Sequence, residues 1–319
     1  MLKNICMYEF VIMNRHYIEM CLMFMFIVLL NYRDIKENNL MLRGPFLDRT
    51  WMAQNPDYNT SDIVMLGLPF DGTVSYRPGS RFAPEQIRLA SWGLEEYSPV
   101  FDKELADVNF HDAGDLEFPL GNTYKTLEQI EKNVEDIYND GKKVFGIGGE
   151  HLVTLPEVKA VSKFYDNLAV VHFDAHTDLR EEYMGEEMSH SAVIRHISKF
   201  VKPENIKQIG IRSGMKEEWE FMEKHNTLCH EYSDLDSLKD KNIFVTVDLD
   251  CLDTSIMPGT GTPEVGGMTF NELVGWFKYL KDFNIVGADV VELAPDYDAS
   301  GASTAVATKV IRELLMIME

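Results

Sequence analysis

LEQIEKNVEDIYNDGKKVFGIGGEHLVTLPE, residues 127–157, carries the local pattern on which the whole architecture depends. Leu127, Ile130, Val134 and Ile137 recur at helical spacing, and Gly141 stands where a C-terminal cap belongs. Val144 to Ile147 is a short apolar run of strand length. Gly148-Gly149-Glu150-His151 follows it, and the glycines let the backbone turn sharply and bring His151 to the strand's end. Thr154-Leu155-Pro156-Glu157 reads as a Thr-x-x-Glu capping box with proline in the first turn, so a second helix is expected just after His151.

The same rhythm extends outward from this stretch. Candidate strands are Asp62 to Leu68, Val144 to Ile147, Leu168 to Phe173, Ile206 to Ile211, Ile243 to Val247 and Ile285 to Val291, with helical patterns between them. This predicts an α/β fold, a mostly parallel central sheet covered by helices on both faces. No repeat or Pro/Ser-rich linker interrupts residues 61–319, so residues 41–319 are read as a single domain. Residues 1–40 differ from the rest. They are rich in Met and aromatics, and their apolar run Met20 to Leu30 is too short to span a bilayer. No small-residue cleavage site follows that run, and the expectation is that Met41 is the physiological start.

Lys and Arg total 30 against 52 Asp and Glu, a net charge of -22 that repels phosphate backbones and argues against nucleic-acid binding. Metal ions and cationic small molecules are the natural partners, although acidity alone also serves solubility. Cys6, Cys21, Cys229 and Cys251 form neither a CxxC pair nor a disulfide framework, which suits a reducing cytoplasm and offers no nucleophilic thiol.

In open parallel sheets ligands bind beyond the carboxyl ends of the strands. There, Asp174-Ala175-His176-Thr177-Asp178 follows one strand and Asp248-Leu249-Asp250 follows another, and alternation in an extended chain puts Asp174, His176 and Asp178 on one side and the second Asp pair on one side. Together with His151 these are four carboxylates and two imidazoles. Without cations they would repel one another at a cost of several kcal/mol. The set is too large for one ion and, being rich in oxygen, suits two Mn ions better than zinc. His172 is read as facing away from Asp174, a packed residue inside its strand, while His16, His196, His225 and His230 lack any motif and are read as surface or structural.

From about Asp62 to the C-terminus the chain resembles the ureohydrolase family, which includes arginases and agmatinases. The matching segments are Gly148 to His151, Phe173 to Asp178, Val247 to Asp250, Pro258-Gly259-Thr260-Gly261-Thr262-Pro263-Glu264 and Gly287-Ala288-Asp289-Val290-Val291-Glu292. Tyr76 to Pro84 and Ser189-His190-Ser191 are similar to the agmatinase branch. The resemblance implies a three-layer αβα sandwich of the arginase type, a homo-oligomer built as a trimer or hexamer, and hydrolysis of agmatine to putrescine and urea, a step of polyamine synthesis. It also implies two Mn ions per chain, one held by His151, Asp174, Asp178 and Asp248 and the other by His176, Asp174, Asp248 and Asp250. Cys251-Leu252-Asp253-Thr254 departs from the family's usual Gly-Leu-Asp-Pro, which points to a differently shaped loop beside the substrate pocket.

For the chemistry, Asp178 is the candidate proton acceptor from the attacking water, Glu292 the candidate partner of the guanidinium, and His190 the candidate proton shuttle. Glu181, Glu182, Glu186 and Glu187 in the loop Leu179 to Ser189 favour an amine over a carboxylate at the substrate's far end, with Arg180 opposing. The alternatives are another amidinohydrolase, acting on guanidinobutyrate or arginine, and a catalytically dead scaffold.

Overall fold

The computed structural model describes residues 50–318, so the expectations for residues 1–40 and for Met41 lie outside the described residues. Among the described residues ten strands run in chain order: β1 Ile63–Leu68, β2 Tyr97–Ser98, β3 Lys103–Glu104, β4 Phe110–Asp115, β5 Lys143–Gly148, β6 Leu168–Phe173, β7 Ile206–Ile209, β8 Leu228–Cys229, β9 Asn242–Asp248 and β10 Asn284–Val291. The helices are α1 Ala83–Ser91, α2 Thr123–Asn139, α3 Thr154–Val161, α4 Val193–Ile197, α5 Lys216–His225, α6 Phe270–Leu280 and α7 Ala302–Leu315.

Eight strands pair in parallel in the order β4-β1-β5-β10-β9-β6-β7-β8, and β2 and β3 form a separate antiparallel pair. Parallel strands covered on both faces bury every side chain, which is why their sequences are continuous apolar runs instead of alternating ones. In β1, Ile63 and Met65 join a core with α1, α6 and α7, whereas Val64, Leu66 and Leu68 join a second core with α2 and α3. These are the three layers implied by the sequence. Fully buried side chains such as Phe145, Phe173 and Phe244 each contribute about 2–3 kcal/mol of transfer energy to that sandwich.

The order places β5, β10, β9 and β6 side by side, so four neighbouring carboxyl ends open on one edge. The predicted helix around Leu127 is α2, and Gly141 follows its end with φ +75°. Ile206 to Ile211 was too long a strand, because Gly210 leaves the extended region at φ +90°. The strand β4 escaped the sequence pattern because it is an edge strand of sequence Phe-His-Asp-Ala-Gly-Asp, with alternate residues open to solvent.

The expected capping box takes another form. A helix does begin after His151, but Val153 is its N-cap without a side-chain hydrogen bond. Thr154 Oγ1 donates instead to Asp289 Oδ2 at 2.6 Å, and Glu157 is fully buried against the sheet. Nor do the two glycines act through a special backbone angle. A Cβ on Gly149 would lie 1.9 Å from the Phe70 carbonyl oxygen, so close packing of two loops is what requires it.

A candidate binuclear metal centre

All the predicted residues except His190 follow the ends of those four neighbouring strands; His190 opens the short turn His190–Ala192 that leads into α4. His151 opens a short 3-10 turn after β5, Asp174 to Asp178 follow β6, Asp248 ends β9, and Glu292 follows β10. Convergence comes from local turns more than from extended alternation. The carboxylate of Asp174 accepts from the His176 backbone N–H at 2.5 Å, and that of Asp248 accepts from the Asp250 N–H at 2.8 Å. Asp178 and Glu292 have φ of +51° and +68°, left-handed conformations that cost a non-glycine residue energy and are concentrated at functional sites.

His151 Nδ1 lies 3.0 Å from Asp174 Oδ2, 3.1 Å from Asp178 Oδ2 and 3.4 Å from Asp248 Oδ2. It is buried and hydrogen-bonds to none of them, as a ligand atom sharing a cation with them would. His176 Nδ1 lies 3.0 Å from Asp250 Oδ2 and 3.4 Å from Asp174 Oδ1. The ligand atoms of His151, Asp174 and Asp178, and those of Asp174, His176 and Asp250, are close enough to hold an ion in each group.

The electrostatics of the cluster point the same way. Burial opposes ionisation of Asp174, yet His172, His151 and His176 overcome it and hold the carboxyl well below the usual range. Burial and then the charge of Asp250 push Asp248 well up, and burial with Asp174 raises Asp250. Burial disfavours a charged His176, but Asp250 and Asp174 raise it to about 12. The crowding of like charges that raises Asp248 and Asp250 is what divalent cations at the cluster would relieve. Four carboxylates and two imidazoles are a hard donor set that fits a pair of divalent ions.

His172 corrects the sequence reading. Residues two apart on a strand share a face, and His172 Nε2 lies 2.8 Å from Asp174 Oδ2. Its role follows from Gln208, whose Nε2 donates to the Thr177 carbonyl at 2.9 Å and to His172 Nδ1 at 3.2 Å. Thr227 Oγ1 donates to Gln208 Oε1 at 2.9 Å. His172 Nδ1 is thus an acceptor and Nε2 carries the hydrogen, so His172 donates to Asp174 and is not itself a ligand.

Glu292 Oε1 accepts from the His151 backbone N–H at 2.8 Å, and burial followed by the charge of Glu150 raises its carboxyl to about 8. Glu150 itself accepts from the Thr73 N–H at 2.7 Å and from Thr73 Oγ1 at 2.6 Å. The His190 backbone N–H donates to Thr73 Oγ1 at 3.0 Å, and the ring lies 3.4 Å from Ser75 Oγ. Burial lowers the pKa of His190. Ser75, His190 and Glu292 wall a cleft of about 280 Å³ that reaches His151, Asp178 and Asp248, with Thr73 and Glu150 behind them.

The chain matches the model of the arginase family over residues 61–317. It belongs to the arginase family. As a member, it is 46% identical to an agmatinase of Bacillus subtilis (strain 168) over 277 residues, 84% of this chain and 96% of the relative. Its fold superposes on the agmatine ureohydrolase of Thermoplasma volcanium with a TM-score of 0.77 at 30% identity, over 87% of this chain and 96% of the other. Proclavaminate amidino hydrolase from Streptomyces clavuligerus gives the same TM-score at 29% identity, over 86% and 99%.

Other expectations fare unevenly. Of the loop Leu179 to Ser189, Arg180 and Tyr183 wall the cleft, whereas Glu181 pairs with Arg195 at the surface. The acidic wall comes from Glu218, which no motif marked: it is 4% exposed and its Oε1 is buried without a partner. The departure at Cys251 to Thr254 leaves a clasped loop, because Asp253 accepts from the backbones of Ser255, Gly266 and Gly267. Cys229 and Cys251 are free, buried thiols. His196 Nε2 meets the Glu187 carbonyl at 2.9 Å and His225 meets Glu204, both structural contacts. Among the described residues no helix is long and apolar enough to cross a membrane.

Proposed function

We propose that this family member hydrolyses agmatine to putrescine and urea with two Mn ions. One would be held by His151, Asp174, Asp178 and Asp248, the other by His176, Asp174, Asp248 and Asp250, with Asp174 and Asp248 belonging to both sets. The identity to agmatinases supports the reaction, and one observation carries the choice of substrate. Glu218 Oε2 accepts from the Met215 N–H, while Oε1 remains buried and unpartnered in the wall of the metal cleft. Such an oxygen favours an ammonium and repels a carboxylate, which separates agmatine from arginine and guanidinobutyrate.

Bound there, two divalent ions would supply acidity to the attacking water, whose pKa is otherwise about 15.7. Glu292 receives the guanidinium and turns its carbon toward that water; the substrate's positive charge offsets the burial that raises this carboxyl. Asp178 accepts the proton lost by water as the C–O bond forms. Collapse of the tetrahedral carbon breaks the C–N bond, and a proton must reach the departing amine. His190, kept neutral near pH 7 by burial, accepts and releases that proton from the cleft's wall. The reading extends to one domain over residues 41–319, to a homo-oligomer and to a reducing cytoplasm, the last supported by the free cysteines.

Urea release from agmatine, arginine and guanidinobutyrate, with and without added Mn, tests the proposal. Agmatine should be cleaved in a Mn-dependent way; cleavage of either other substrate but not of agmatine overturns it. Glu218→Gln should raise KM for agmatine about tenfold or more while changing kcat less.

A further inference from the structure

Behind the ligand cluster runs a row of buried polar side chains that the reaction above does not use. Strand register sets Gly146, Asp289, Thr246, His172 and Gln208 side by side across β5, β10, β9, β6 and β7. The carboxyl of Glu157, from α3, fills the space left by Gly146: a Cβ there would lie 2.6 Å from Glu157 Oε1 and 3.0 Å from Asp289 Cβ. Glu157 and Asp289 are both 0% exposed. Neither Glu157 oxygen nor Asp289 Oδ1 has a hydrogen-bond donor, and no lysine or arginine is among the groups acting on either acid.

Two adjacent carboxylates in an apolar interior cannot both be ionised without a large desolvation and repulsion cost. A proton on Glu157, donated to Asp289 Oδ1, removes the conflict. In agreement, burial and then the neighbouring Asp289 push Glu157 well above the ordinary carboxylate range. Asp289 Oδ2 accepts from Thr154 Oγ1 at 2.6 Å. The Thr154 and Thr246 hydroxyl oxygens are 3.4 Å apart, and Thr246 Oγ1 is 3.0 Å from His151 Nε2.

We propose that Glu157 and Asp289 share one proton and one negative charge, and that this pair, through Thr154 and Thr246, fixes His151 with hydrogen on Nε2 and a free lone pair on Nδ1. The direction follows from counting hydrogens. A hydroxyl has one, and Thr154 gives its own to Asp289. The Thr154 oxygen is then free to accept from Thr246 across the 3.4 Å contact, and in that arrangement Thr246 presents only its oxygen to His151. Nε2 must then donate, which leaves Nδ1 bare toward Asp174, Asp178 and Asp248. Glu157 and Asp289 are positioning residues: they act through His151 and touch no reactant. The inference rests on the reading of the cluster as a metal centre.

The test is stepwise calorimetric titration of the metal-free full chain with Mn, together with the melting temperature of each metal-free variant. Asp289→Asn removes the charge and supplies an amide that reverses the hydrogen direction. It should weaken the ion held by His151 about 10- to 100-fold and leave the ion held by His176 within about threefold. Glu157→Gln keeps a donor beside Asp289 and should bind both ions nearly as the unaltered protein does. Thr246→Val breaks the line while leaving both acids in the protein and should reproduce the selective loss, which keeps the test decisive if Asp289→Asn does not fold. Unchanged affinity in Asp289→Asn and Thr246→Val overturns the proposal, as does an equal weakening of both ions, which would mean general loosening of the fold. An unaltered protein that binds no Mn sinks the metal centre itself, a failure distinct from that of the positioning pair.

Discussion

The two halves of the cluster are built differently. The side chain of His151 is 2% exposed, braced behind by Thr246 and flanked by the backbone bond from its own N–H to Glu292. The side chain of His176 is 28% exposed and stands at the rim of the cleft. Between them lies Asp174, fixed by His172. A buried ligand supported from behind loses little on binding a cation, because its geometry already exists before the ion arrives; a ligand at the rim keeps more freedom and more contact with water. The halves should therefore hold metal unequally, with the ion on the His151 side leaving last.

The largest effect tests what the halves share. Asp174→Asn or Asp248→Asn should abolish both ions together and lower kcat/KM by about 10³-fold or more, since the ions supply several kcal/mol of the reaction's stabilisation. Loss of one ion with the other retained, read by metal analysis, would show that the bridge joins the halves less tightly than the geometry indicates.

Next come the single histidines. His151→Ala empties the space of a buried ring and should cost the metal-free protein about 3 kcal/mol, measured by urea unfolding. His176→Ala, nearer to solvent, should destabilise less while still removing one ion. Equal losses would erase the distinction between the halves.

Acidity provides a finer probe. His176 in the metal-free cluster is raised from 6.5 to about 12, so its ion pairs stabilise the fold fully below 6.5 and lose strength as pH rises toward 12. Metal needs the imidazole without its proton. The increase in Tm caused by Mn should thus grow as pH rises above 6.5, and an increment independent of pH would contradict proton displacement.

The smallest effect lies away from both halves and shows whether such changes stay local. Asp298 accepts from Ser300 and Ser303 at the start of α7, and these bonds lower its pKa to about 2. A depressed carboxyl stabilises above its unfolded value of 3.8 and loses that contribution as pH falls toward 2. Asp298→Asn should flatten the acid limb of a thermal melt slightly without altering Mn binding.

Much of the site was legible in the chain. Asp174, His176, Asp178, Asp248 and Asp250 lie within two short segments, each just after an apolar run of strand length, and the parallel-sheet rule says that strand ends carry ligands. His151 and Glu292 could be placed by the same logic. The manner of convergence was not legible, since the hydrogen bonds of the Asp174 and Asp248 turns bend segments that alternation treats as straight. His172 departs from the expected orientation away from Asp174 for a local reason: residues at i and i+2 share a face, and its bond to Asp174 follows from the strand period alone.

By itself the sequence determined the chemistry of the candidate ligands, the places of β1, β5, β6, β7, β9 and β10, and the edge on which those ligands would stand, because these depend on neighbours along the chain and on periods of two and 3.6 residues. Only the tertiary structure decided that Glu157 lies over Gly146, that Asp289 faces Thr246, and that Glu218 stands in the cleft wall with one buried oxygen unpaired. Those pairings join residues far apart in the chain through strand register and packing. A buried polar group takes its meaning from the partner that burial brings to it, and nothing in its own neighbourhood of sequence names that partner.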